Sequence, residues 1–145
     1  MNRPSLFLTL SALSLCAVSL PAMAHTQLGA LGTAATATDI YMATCQDDGS
    51  GSPDRLTSKI IDLPPVMAPV ISLTVTRNGK SVVARDNADG DAKYSPEVQL
   101  REGKGVYTLV VSKSAKGAEI YRFDFHCSTD AGVHTGSSIV KKQDQ

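Results

Sequence analysis

From Asp39 onward the chain is built of short apolar stretches, many with apolar residues at every second place, separated by Gly, Pro, Asn and Asp. A period of two puts one face of an extended segment in a core and the other in water, so each stretch predicts a β-strand. The predicted strands are Asp39–Cys45, Leu56–Leu63, Val70–Arg77, Lys80–Ala84, Glu97–Leu100, Val106–Ser112 and Ala118–Cys127. In Ile71–Thr76 the alternation is strict. Asn78-Gly79 follows, a pair that accepts positive φ at both central positions of a tight turn, and Lys80–Val83 resumes the pattern. Val106–Val111 is apolar on both faces, as a central strand is, and Lys116-Gly117 is expected to turn it back into Ile120–Cys127. No stretch has sustained helical periodicity.

The last strand carries its own registration. Tyr121, Phe123, Phe125 and Cys127 share one face; Arg122, Asp124 and His126 share the other. The aromatic face is the core face, so Cys127 points inward, and Tyr41, Ala43 and Cys45 alternate in the same way. The expected fold is all-β: a single antiparallel β-sandwich, jelly-roll or immunoglobulin-like, of about seven strands with one disulfide.

The amino end has a different character. Arg3 supplies a basic start, Leu6–Leu20 is apolar, Pro21 breaks the run, and Ala22-Met23-Ala24 offers the small residues of a signal-peptidase site. The apolar run is shorter than a membrane-spanning helix needs. Residues 1–24 are therefore expected to be a cleaved signal peptide, giving a periplasmic or secreted protein that begins at His25. Cys16 raises a lipoprotein alternative, but Leu15 stands before it where a small residue is wanted. The expected organisation is a leader (1–24), an N-terminal arm (25–38), the β domain (39–127) and a C-terminal tail (128–145). After removal of the leader two cysteines remain, Cys45 and Cys127, and in an oxidising compartment they are expected to form a disulfide. Closing so long a loop removes about 4–5 kcal/mol of denatured-state freedom in the ideal case.

The chain has 14 basic and 14 acidic residues, and loss of Arg3 with the leader leaves the remainder about one unit negative. Nucleic acid and anionic membranes both reward a basic patch, so neither is an expected partner, and no membrane insertion is expected. The expected partner is an extracytoplasmic protein or a small ligand.

The ordered pieces ISLTVTRNGKSVVARDN and DAKYSPEVQLREGKGVYTLVVSKSAKGAEIYRFDF, between Val70 and His126, resemble the bacterial pre-peptidase C-terminal domain. Shared features are a strand ending in a polar-Gly turn, an Asp-rich loop, a strand closing on Gly, a G-x-Y strand and a Y-x-F strand. The resemblance covers under half of the chain after the leader. It implies a jelly-roll-like sandwich with an extracellular binding or accessory role, and carries no catalytic residue across. The disulfide and the His-bearing C-terminal segment lie outside that pattern.

Three histidines are the candidate chemistry: His25, His126 and His134. An N-terminal histidine offers its α-amine and imidazole to one ion, a nitrogen-rich set suited to copper. His25 with Asp124-Phe125-His126 resembles the periplasmic copper-carrier sandwich proteins, in which a mature N-terminal histidine meets a D-x-H pair. The candidate metal residues are thus His25, His126, His134 and Asp124. In the plain reading the same histidines are surface imidazoles. The acidic loop Asp86–Asp91 could offer oxygens of Asn87, Asp89 and Asp91 to calcium, but Ala92 stands where an EF-hand needs glycine, and Asp and Asn are ordinary turn residues. Glu97, Glu102 and Glu119 are expected to be solvated carboxylates at strand ends.

No G-x-S-x-G, CxxC, HExxH or phosphate-binding Gly loop occurs. The expected function is a non-enzymatic binding or accessory module with no catalytic residue and no certain cofactor. The alternative is a copper-binding or copper-delivery protein using His25.

Overall fold

The computed structural model describes residues 25–65 and 69–145, so the expected leader and Cys16 lie outside the described residues. Among the described residues nine antiparallel strands run in chain order: β1 (His25–Leu31), β2 (Asp39–Gln46), β3 (Arg55–Leu63), β4 (Ile71–Arg77), β5 (Lys80–Asp86), β6 (Val98–Leu100), β7 (Gly105–Lys113), β8 (Glu119–Ser128) and β9 (His134–Gln143). They form one continuous sheet in the order β5-β4-β7-β2-β9-β8-β3-β6, with β1 on β8. β5 comes back against β6 and β3, so the sheet curls into a nearly closed barrel. The described residues include no helix.

The architecture corrects the expectation of about seven strands in a sandwich. All seven predicted stretches are strands, and two more are added, one in the stretch expected as an arm (β1) and one in the stretch expected as a tail (β9). β9 is the strand that joins the two halves of the sheet, pairing with β2 along most of its length and with β8 at its start. β7 and β8 do not pair with each other; the 114–118 connection carries the chain from one half of the sheet to the other.

The alternation seen in the sequence sets the interior. Tyr41, Tyr107, Tyr121, Phe123 and Phe125 are fully buried, and Tyr41 meets Phe123 edge-on with ring centroids 5.0 Å apart. Cys45 and Cys127, both buried, form the disulfide across the interior, with Cα atoms 5.6 Å apart. Asn78 (φ 51°) and Gly79 (φ 75°) make the tight β4–β5 turn in the left-handed region that this pair tolerates. Gly29 of β1 lies directly opposite Tyr121, and a Cβ there would sit 2.3 Å from the tyrosine oxygen. Only glycine lets β1 dock over that ring.

A buried polar knot fixes β9 to the barrel. Asp39, fully buried, accepts a hydrogen bond from Tyr121 Oη and one from the Gln145 backbone N–H (2.8 Å), and pairs with Lys141 of β9 (2.9 Å). The Tyr121 hydroxyl proton is committed to Asp39. The 2.7 Å bond between Tyr41 and Tyr121 is therefore donated by Tyr41.

Candidate functional site

β8 shares one edge between two partners. β1 covers it from Glu119 to Phe125, and β9 covers Cys127 and Ser128. His126 is the residue left between them. Beyond Thr135, β9 leaves β8 to follow β2, where Gly136 pairs with Gln46. A groove of about 440 Å³ opens at this fork, lined by His25, Asp48, Ser50, His126, His134, Thr135, Gly136 and Ser137.

Two of the candidate histidines are in direct contact. His134 pairs with Ser128, two residues from His126 on the same face, and the two imidazoles stack with centroids 4.6 Å apart and planes 8° from parallel. Burial, and after it the neighbouring His134, hold the His126 imidazole below its ordinary value. It is therefore uncharged, with a free lone pair, at lower pH than a solvated histidine. A second hollow of about 120 Å³ is lined by Thr57, Ser58, Lys59, Glu97, Asp124 and the same two histidines. The stacked pair thus borders both recesses.

His25 reaches the groove differently. It pairs with Phe125, not with an outward residue, and its ring stacks on Phe125 at 5.2 Å. Its side chain is therefore on the opposite face of the sheet from Asp124 and His126. Its backbone is better placed than its ring. The register runs Thr26 to Asp124 and His25 to Phe125, so the amino end of β1 points along β8 toward His126. Asp124 turns elsewhere: it accepts from Thr26 Oγ1 (2.8 Å) and faces Lys59 Nζ at 3.9 Å. The structure thus brings His126 and His134 together, lines the same groove with His25, and engages Asp124 on its other side.

No family model matches this chain, and neither does any curated protein or solved structure. What the groove can do rests on its own geometry.

The acidic loops divide. Asp47, Asp48, Asp86 and Asp91 each accept backbone N–H bonds from residues two to four positions on, as turn residues do. Asp89 makes no such bond. Its carboxylate lies with those of Asp62 and Glu119, all three offering oxygens within 4.8 Å of one another. Glu119 is 1% exposed, which corrects its expected place as a solvated strand-end carboxylate. The sequence held a signal for it: Glu119 is the next inward position before Tyr121 in the face that runs to Cys127. Asp62 likewise follows Leu56, Ser58 and Ile60 on the inward face of β3.

Proposed function

We propose that the protein is an exported, non-enzymatic binding module of the periplasm or extracellular space, and that its ligand is a copper(II) ion held by His126 and His134. The observation that carries this reading is the contact of the two imidazoles, with centroids 4.6 Å apart, in a groove that His25 also lines; the rings lie parallel here, so binding turns them until their in-plane lone pairs converge on one ion. Two imidazoles offer two borderline nitrogen donors, and among divalent ions of the first transition row such sites favour copper(II). Removal of residues 1–24 on export frees the α-amine of His25, and the β1 register directs that amine toward His126. A third nitrogen then comes from the amine, with the His25 ring left on Phe125. Asp124 acts in this reading from behind, orienting the strand through Thr26 and Lys59 and not as a ligand. The buried disulfide agrees with an oxidising compartment. The likeness to pre-peptidase C-terminal domains agrees with an accessory role.

Calorimetry with copper(II) on protein beginning at His25 tests this. The expected result is uptake near one equivalent, weakened at least about ten-fold by either His126→Ala or His134→Ala, the loss of about 1.4 kcal/mol or more. One extra residue before His25 should weaken it as well. No uptake, or uptake indifferent to both histidine variants, overturns the copper reading and leaves a module for some other ligand.

A further inference from the structure

At the opposite end of β8 the barrel holds a second cluster. Asp62 faces inward near the end of β3, directly paired with Tyr121, and Glu119 faces inward at the start of β8. Asp89 approaches from the loop between β5 and β6. Asp62 is 0% exposed, and neither of its carboxylate oxygens has a hydrogen-bond partner among the described residues; the same holds for both oxygens of Glu119. Asp86 adds a fourth carboxylate at the margin, receiving the Asp62 backbone N–H at 2.8 Å. The Lys113 ammonium, near enough to favour the charged form of Glu119, gives two of its three N–H donors to the carbonyls of Gly32 and Gly117.

Buried carboxylates with no donor are costly, and they are relieved in one of two ways: they take up protons or they take up a cation. The geometry favours the second. Two oxygens bound to one calcium ion at about 2.4 Å lie no more than about 4.8 Å apart, and all three carboxylates meet that limit. The donor set is oxygen alone, which suits a hard cation and not copper or zinc. The three carboxylates come from β3, β8 and a loop, and water would supply the rest of the roughly six to eight oxygens that calcium takes.

We propose that Asp62, Asp89 and Glu119 form a calcium site that closes this end of the barrel. The ion pins the loop carrying Asp89 to the starts and ends of β8 and β3 and neutralises charge that the interior otherwise carries unpaired. It is independent of the histidine groove: Glu119 and His126 are seven positions apart on one strand, about 23 Å. The sequence concealed the site because its ligands are 27 and 30 residues apart and none follows a loop-motif spacing.

Thermal melting of the purified protein with calcium, magnesium or chelator, together with terbium luminescence, tests the proposal. The chain has no tryptophan, so terbium emission has to be sensitised by tyrosine, and Tyr121 lies directly opposite Asp62. Extracellular calcium modules bind at about 0.1–1 mM, so about 10 mM calcium should raise Tm by several degrees, with magnesium doing less. Terbium should light up and be displaced by calcium. Asp89→Asn, on the half-exposed loop, keeps the interior intact and should weaken binding at least about ten-fold, as should Glu119→Gln if that variant folds. Absence of both the Tm shift and the emission would mean that Asp62 and Glu119 share a proton instead, which overturns the site. Binding unchanged in Asp89→Asn would place the ion elsewhere and overturn it equally.

Discussion

Asp39→Asn is the substitution whose cost follows most directly from the structure. The side chain keeps its shape and loses its charge, inside a knot where Asp39 receives Tyr121 Oη and the Gln145 N–H and pairs with Lys141. Breaking one side of a fully buried ion pair costs about 3–5 kcal/mol. Lys141 keeps 29% of its side chain in water and has Asp144 as a second partner at 2.5 Å, so the expected cost here is lower, about 2 kcal/mol. Tyr121→Phe removes the hydroxyl that donates to the carboxylate, a bond of the charged kind worth about 1.5–3 kcal/mol. Asp39→Asn removes the charge of that bond's acceptor and Tyr121→Phe removes its donor, so the two costs overlap and the double variant should fall short of the sum by about 1–2 kcal/mol. Urea unfolding reads this well: at a slope of about 2 kcal/mol per M, each single variant moves the midpoint by about 1 M. Hydrogen exchange should rise first along β9, which the knot anchors. Costs that add within about 0.5 kcal/mol would show that Asp39 and Tyr121 act separately, and the account of how β9 is held would be wrong.

Three further outcomes are expected. Gly29→Ala drives a methyl into Tyr121 and should cost about 3 kcal/mol or release β1 from β8, seen as loss of amide protection in His25–Leu31; unchanged protection would contradict the docking. Replacing Cys45 and Cys127 together by Ala should lower stability by about 2–5 kcal/mol and hasten proteolysis, whereas labelling of two free thiols in the native, unreduced protein would refute the bond. Burial, and then the charges of Glu119, Asp89 and Asp86, push the Asp62 carboxyl up to about 7, so the native state holds a proton that the unfolded chain releases near pH 4. In chelator, stability should therefore decline as pH rises from about 4 through about 7, and urea midpoints of Asp62→Asn should lack that decline; an identical slope in the variant would exclude Asp62 as its source.

The interior strands were legible because period-two alternation and paired burial are the same fact. Tyr121, Phe123, Phe125 and Cys127 read inward in sequence and are inward in the barrel. β1 and β9 were not legible, since HTQLGAL and HTGSSIVKKQ carry few apolar residues and both strands remain partly exposed. Their order comes from contacts remote in sequence: Gly29 beneath Tyr121, and Lys141 against Asp39. With those two strands counted apart from the domain, seven strands suggested two facing layers; β9 between β2 and β8 instead joins the halves into one sheet. The stacking of His126 on His134 depends on the turn that brings β9 back to β8, and alternation alone carried no such information. For Asp62 and Glu119 the inward parity was readable, while the loop position of Asp89 beside them was not.

The most direct measurement of the central claim is the electron paramagnetic resonance spectrum of protein beginning at His25 with one equivalent of copper(II). Imidazole nitrogens bound in the plane of the metal split the signal in a way that counts them. The account predicts a tetragonal site with nitrogen couplings that fall when His126 and His134 are both replaced by Ala. Burial lowers the pH at which protons compete for His126, but the α-amine must also be deprotonated, so the bound signal should fade as pH falls through the range where the amine and then the imidazoles protonate. A spectrum of free aqueous copper, or a bound signal unaltered in the double variant, would contradict it.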